Sequence, residues 1–243
     1  MIVQIYEIQT PDEAEKCIEL GVDHIGSVLT GLEQWKQTVI RETIHLCRGA
    51  EAKSSLIPLF QGLDALSRVL EYYQPDYIHF CETLTTDSGA VIQLEPYIRL
   101  QKKLKERFPN IKIIRSIPIP LKGIKKDFST LAIAKEFEKD SDIFLTDTWL
   151  GGEPVNGFIG ITGKRCDPKI AKDLVKQSRI PVILAGGLSP ENVYEALKEI
   201  QPAGADSCTQ TNKIDGKGNP LRFRKDYDKV RRFVEEVRKA ERK

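Results

Sequence analysis

A single alternation runs the length of this chain: a short apolar, β-branched run, then a longer amphipathic one, eight times over. The strand-like runs fall at 2–8, 23–29, 55–60, 76–81, 111–119, 142–148, 181–188 and 205–210. Helices are predicted between them. The first runs from Pro11 to a C′ glycine at Gly21, and the others cover 38–48, 63–73, 94–108, 130–138, 168–177, 190–200 and 226–240. Thr10 before Pro11-Asp12-Glu13 reads as an N-cap, an N1 proline and an acidic first turn. Over 243 residues the eight units average about 30 residues, the size of one βα unit. Strict alternation of this kind gives a parallel sheet with helices outside it. Val182-Ile183-Leu184-Ala185 is apolar at every position, as suits a strand covered on both faces. Eight units close into an α/β fold, a (β/α)8 TIM barrel, predicted as a single domain over 1–243. An open doubly wound sheet is the alternative, and the lack of GxGxxG after the first strand counts against it.

Composition narrows the function classes. Lys plus Arg number 37 against 35 Asp plus Glu, a net charge of +2 that provides no field for gathering nucleic acid. The end of the chain is locally basic, with ten Lys/Arg and five Asp/Glu from Leu221 onward. It reads as a solvated amphipathic helix whose apolar stripe is Val230, Phe233, Val234 and Val237. Cys17, Cys47, Cys81, Cys166 and Cys208 form no CxxC and are odd in number, which predicts reduced thiols in a cytoplasmic protein. His24, His45 and His79 stand alone, so no metal site is expected. Neither an N-terminal apolar leader nor a run of 18 apolar residues occurs, and no membrane association is expected.

In a barrel, chemistry sits at the C-terminal ends of the strands. Glycines cluster there. Gly151-Gly152 and then Gly157, Gly160 and Gly163 follow the sixth strand, and Gly186-Gly187 follow the seventh, ahead of Ser189-Pro190. Exposed N–H groups with a helix N-terminus behind them describe a phosphate cradle, although tight turns need glycines too. Asp147 ends the sixth strand, where a carboxyl facing the mouth can act as general acid or base and one facing a loop merely caps it. Tyr6 and Glu7 end the first strand on the same rim, and alternation alone does not say which of them points inward.

These residues resemble a known family in an ordered set. Val3 to Ala14 aligns without gaps to VKICGITRPEDA of phosphoribosylanthranilate isomerase. Glu19-Leu20-Gly21-Val22-Asp23-His24-Ile25-Gly26 is similar to its ELGADAIG, and Gly160-Ile161-Thr162-Gly163-Lys164 to its GGTGK. The stretch from Val182 to Val193 is nearly identical to its seventh-strand motif, and Lys225-Asp226, Lys229-Val230 and Phe233 resemble its closing helix.

The resemblance implies a (β/α)8 isomerase of tryptophan biosynthesis that carries out an Amadori rearrangement of a phosphoribosylamine without a cofactor. A general acid protonates the ribose ring oxygen and opens the ring, and a base removes the C2′ proton. The family's acid matches Asp147. Its base is a cysteine that matches Tyr6, and a tyrosine with pKa near 10 is a poor base at neutral pH. Glu7, one position on, is the alternative carboxylate. Phosphate binding is expected at Gly160, Thr162, Gly163, Gly186, Gly187, Cys208 and Thr209. The other end of the pocket departs from the family. Trp35, with Lys36 beside it, falls near the family's second-strand arginine. His79 and Cys81 replace its fourth-strand Gln and His, and Pro118 stands at its fifth-strand arginine. Trp35, His79, Cys81 and Arg115 are expected to line the substrate pocket. Extra length lies at 83–95, 119–130 and 212–222, and the first two of these follow strands on the active face.

The expected partner is a phosphorylated small molecule, bound by a monomer or homodimer. A phosphosugar aldolase or lyase is the alternative activity, and it lacks a well-placed strand-end lysine. A non-catalytic phospho-ligand binder is the other alternative.

Overall fold

The computed structural model describes residues 1–124 and 128–242. Part of the 119–130 expansion therefore lies outside the described residues. Strands and helices alternate as β1 (Ile2–Ile5), α1 (Pro11–Glu19), β2 (His24–Leu29), α2 (Thr38–Gly49), β3 (Lys53–Pro58), α3 (Leu63–Tyr73), β4 (Tyr77–Phe80) and α4 (Glu95–Arg107). The second half continues as β5 (Lys112–Pro120), α5 (Thr130–Phe137), β6 (Ile143–Trp149), α6 (Pro168–Gln177), β7 (Val182–Leu184), α7 (Val193–Ile200) and β8 (Gly204–Ser207). Neighbouring strands are parallel, and β8 pairs with β1 to close the barrel, as the alternation predicted.

Local chemistry sets the element ends. Thr10 Oγ1 accepts the Glu13 N–H at 3.3 Å, and Glu13 reaches back to the N–H of Gln9. Gly21 stops α1 with φ of +90°. Asp167 and Asp226 cap α6 and the last helix, α8 (Tyr227–Glu241). Asn192 Oδ1 takes the N–H of Ser189, so the chain turns through 190–192 and α7 starts at Val193 rather than at 190. β1, β7 and β8 end sooner than their apolar runs, because the residues beyond them bend over the barrel mouth.

Two apolar layers hold the barrel. Outside it, the helix faces pack on the strands, and Val230, Phe233, Val234 and Val237 of α8 are all buried as their stripe predicted. Inside it, Tyr77, Ile114, Ile143, Leu145, Ile183 and Ala185 close the lower part of the axis. Above them the interior turns polar. Gly26 makes room there for the ring of Tyr6, since a Cβ on Gly26 would lie 2.2 Å from Tyr6 Cδ1.

One feature departs from pure alternation. Between β8 and α8, starting in the expansion at 212–222 and ending three residues past it, stands an antiparallel hairpin of β9 (Asn212–Ile214) and β10 (Pro220–Lys225). Asp215 Oδ1 accepts the N–H groups of Lys217 and Asn219, each at 2.8 Å, and tightens its turn.

Candidate active site

The C-terminal ends of the strands enclose a cleft of about 780 Å³ including its open mouth. Tyr6, Glu7, His79, Cys81, Asp147 and Asp206 reach it from the strand ends, and the loop after β6 covers it with Val155, Phe158, Ile159 and Ile161. The hairpin contributes Arg222, the only cation among the described lining residues.

Tyr6 and Glu7 both line this cleft, although strict alternation would send them to opposite faces. The reason is the backbone of Glu7, which has φ of +65°. Tyr6 points across the barrel, where its hydroxyl lies 2.5 Å from Ser55 Oγ and 2.6 Å from His79 Nδ1. His79 Nε2 lies 2.9 Å from Ser116 Oγ, and Ser116 donates to Asp147 Oδ2 at 3.0 Å. These contacts fix the hydrogens. Ser116 spends its one proton on Asp147, so it accepts from His79 Nε2–H. Burial, with the Arg115 charge, pushes His79 down to about 3, so the ring is neutral and its Nδ1 accepts from Tyr6. Ser55 then donates to Tyr6. Burial also holds the Tyr6 phenol well above its ordinary pKa, against the Ser55 hydrogen bond.

Glu7 is held differently. Its Oε1 accepts from Arg222 Nε at 2.7 Å, and its Oε2 from Asn212 Nδ2 and the Phe223 N–H, both at 3.0 Å. Burial alone would raise this carboxyl, but these donors and nearby Lys225 outweigh it and hold it below the usual carboxylate range. Lys225 is itself pinned by Cys208 O and Asn212 Oδ1. Glu7 thus anchors the hairpin to the rim.

Asp147 lies under the loop after β6, with both carboxylate oxygens close to Gly160. Burial raises it to about 7, partly offset by Ser116, and the Glu153 charge adds to the rise. Asp206 lines the same cleft from β8, two strands away. Gln4 Nε2 donates to its Oδ1 at 3.1 Å, and Gln4 is in turn 3.1 Å from His24 Nδ1. Burial raises Asp206 to about 7 as well, and the Asp147 charge contributes.

Gly160, Thr162, Gly163, Gly186, Gly187, Cys208 and Thr209 come together on one side of the cleft. Gly160, Gly163, Gly186 and Gly187 all have positive φ. Part of the demand for glycine here is packing, since a Cβ on Gly187 would lie 2.8 Å from Gly163 O. Among the described residues, no acceptor takes the N–H of Gly163, Gly186 or Gly187. Three free donors at a concave rim form a nest for an anion.

Two expected pocket residues lie elsewhere. Arg115 is fully buried on the outer side of β5, because Ser116 takes the inward position and alternation turns its neighbour toward the helices. It donates to Glu82 Oε2 at 2.6 Å and to Gln101 Oε1 at 2.7 Å, with Phe137 under its guanidinium. Trp35 does not line the cleft either. Its ring meets Tyr72 edge-on and its carbonyl accepts from the Tyr73 hydroxyl at 2.6 Å, which ties the loop after β2 to α3. All five cysteines are free and four are buried.

The sequence reading missed Asp206, Ser55, Ser116 and Arg222. Asp206 ends an apolar run at the same rim as Asp147 and was legible by the same argument. The serines and Arg222 carry no pattern of their own.

Fold and cleft together define a (β/α)8 barrel enzyme. The family profile "N-(5′phosphoribosyl)anthranilate (PRA) isomerase" matches residues 91–236. The N-(5′-phosphoribosyl)anthranilate isomerase of Methanocella arvoryzae is 33% identical over 240 residues, 97% of each chain. Isomerase 2 of Methanosarcina mazei is 35% identical over 135 residues, 53% of this chain and 56% of that protein. A crystal structure of a phosphoribosyl anthranilate isomerase, in complex with reduced 1-(o-carboxyphenylamino)-1-deoxyribulose 5-phosphate, superposes with a TM-score of 0.68 at 17% identity, covering 98% of this chain and all of that one. The chain belongs to the N-(5′-phosphoribosyl)anthranilate isomerase family, the isomerases of tryptophan biosynthesis. Among the described residues, no helix is long and apolar enough to cross a membrane, and no group of three His, Cys, Asp or Glu is arranged to hold a metal ion.

Proposed function

We propose that the cleft converts N-(5′-phosphoribosyl)anthranilate into its 1-deoxyribulose isomer, with Asp147 as general acid. The observation that carries this is the placement of Asp147, which lines the same cleft as the free N–H groups of Gly163, Gly186 and Gly187 and is held by Ser116 at 3.0 Å. Burial raises its pKa to about 7, which suits a group that donates the proton ring opening consumes. Ser116 orients it from below. The phosphate end of the substrate sits on the free N–H groups of Gly163, Gly186 and Gly187, with Thr162, Cys208 and Thr209 around them. Arg222, whose Nε alone is engaged by Glu7, turns the rest of its guanidinium toward an anionic group of the substrate. No lysine lines the cleft among the described residues, so a Schiff-base aldolase has no nucleophile there.

The test is loss of phosphoribosylanthranilate fluorescence in the presence of the purified protein. Turnover is expected, and Asp147→Asn is expected to lower kcat by about 10²–10⁴-fold while the protein stays folded. Absence of turnover in the wild type, together with thermal stabilisation by ribose or ribulose phosphates, would replace this activity with another on the same phosphate handle.

A further inference from the structure

The rearrangement needs a proton acceptor, and neither residue at the end of β1 provides one. The Tyr6 hydroxyl is spent on His79 and Ser55, and the phenol is held neutral. Both oxygens of Glu7 are occupied by the hairpin and its arginine. Cys81 and Cys208, the thiols of the cleft, are kept protonated by burial. Among the described lining residues, one further carboxylate remains, that of Asp206.

Its setting is that of a positioned base. Asp206 sits on the barrel wall rather than on a loop, and Gln4, backed by His24, fixes Oδ1. No protein donor among the described residues reaches Oδ2, and Oδ2 is not among the buried atoms left without a partner. One oxygen is therefore tied to the wall and the other opens on the cleft that Asp147 also lines.

We infer that Asp206 is the catalytic base of this chain, and that the β1 position has passed from chemistry to packing. This rests on the cleft being an isomerase of a phosphoribosylamine. In the step concerned, Asp147 has already given its proton to the ring oxygen, breaking the C1′–O bond and leaving an iminium at C1′. Asp206 takes the C2′ proton. The C–H electron pair becomes the C1′=C2′ bond, and the iminium pair returns to nitrogen. When the enol becomes the ketone, C1′ takes a proton from Asp206 and the C2′ hydroxyl gives its own to Asp147, so both carboxyls return to their starting states.

The groups facing Asp206 are Tyr6 from β1, Asp147 from β6, Cys208 just beyond β8 and Lys225 from β10, with His24 behind Gln4. Tyr6 and Cys208 stay neutral, Asp147 raises Asp206 and Lys225 lowers it. With both carboxyls near 7, the competent form, one protonated and one ionised, is most populated near neutral pH.

The test compares wild type, Asp206→Asn, Asp206→Glu and Asp147→Asn across pH, with ordinary substrate and substrate deuterated at C2′. Wild-type kcat traces a bell. Asp206→Asn loses about 10²-fold or more in kcat with KM within about threefold, and it loses the ascending limb. Its remaining turnover shows a primary C2′ isotope effect, and Asp206→Glu recovers part of the rate. Asp147→Asn loses the descending limb instead and shows no C2′ effect. Asp206→Asn melts no lower than wild type at about pH 8, because the amide spares a buried carboxylate, so lost activity is not lost fold. A normal kcat and acid limb in Asp206→Asn, or a loss confined to KM, overturns this role and leaves the isomerase standing. A wild type without turnover overturns the isomerase reading and the role of Asp206 with it.

Discussion

Tyr6 shows how a side chain can keep a catalytic address and change its work. Its ring fills the axis over Gly26, and its hydroxyl organises a buried polar chain through His79 and Ser116 to Asp147. Tyr6→Phe removes the donor to His79 Nδ1 and the acceptor of Ser55. The expected cost is about 1–3 kcal/mol in urea unfolding, since two buried polar groups lose their partner. Turnover is expected to fall no more than about tenfold, because Asp147 keeps its direct contact with Ser116. Arg115 makes the complementary point. Its partner Glu82 is as buried as it is, so Arg115→Ala strands a charge and is expected to cost about 3–5 kcal/mol. Its KM is expected to stay near that of wild type, whereas a pocket residue would move KM. Nothing in the sequence distinguishes Arg115 from Ser116 as the inward residue, since the run around them is apolar on both sides. Glu7 was illegible for a different reason. A positive φ on glutamate is a tertiary outcome, held by Arg222, Asn212 and Phe223 some two hundred residues away.

The barrel's helices were the most legible elements, because their ends are written in local chemistry. α3 and α6 fall where the periodicity put them, and α1 starts at the predicted proline. The strand ends were less legible, because apolar character continues past the last ladder bond into residues that cover the cleft. The β9–β10 hairpin was seen only as extra length, although Asp215-Gly216 is a turn signal between two short extended runs. That hairpin brings Arg222 over the mouth and is fastened by Glu7. Arg222→Ala is expected to raise KM for the phosphorylated substrate by about tenfold or more with a smaller change in kcat, and the wild-type KM to rise with salt while the variant's does not. Glu7→Gln keeps the hydrogen bonds to Asn212 and Phe223 within reach but removes the charge that holds Arg222. Its expected mark is faster amide exchange across residues 212–225, with the exchange of β1 unchanged.

Titratable groups placed on the barrel axis tie the stability of the entire chain to pH, and they do so in opposition. Asp147 and Asp206, both raised to about 7, bind protons more tightly folded than unfolded. Their contribution is complete below the unfolded value of about 4 and is lost as pH rises through about 7. His24 and His79 are lowered to about 4 and about 3, so the folded state disfavours their protonation. Their contribution is complete above about 6.5 and is lost as pH falls toward those lowered values. Glu7, also lowered, adds a contribution that disappears only when acid reaches its depressed value. Between about pH 4 and 6.5 the two pairs therefore pull in opposite directions, through shifts of similar size. The urea midpoint of the wild type is expected to be nearly level across that window and to fall below it. In Asp147→Asn/Asp206→Asn the carboxylate half of the balance is gone and the histidine half remains. The midpoint of the double variant is expected to climb steadily from about pH 4 to 6.5, and to exceed that of the wild type at about pH 8, where the native protein holds two buried charges. A double variant with a level profile would mean that the histidines do not stay neutral on folding. The hydrogen-bond directions from Tyr6 through His79 to Asp147 would then have to be reversed.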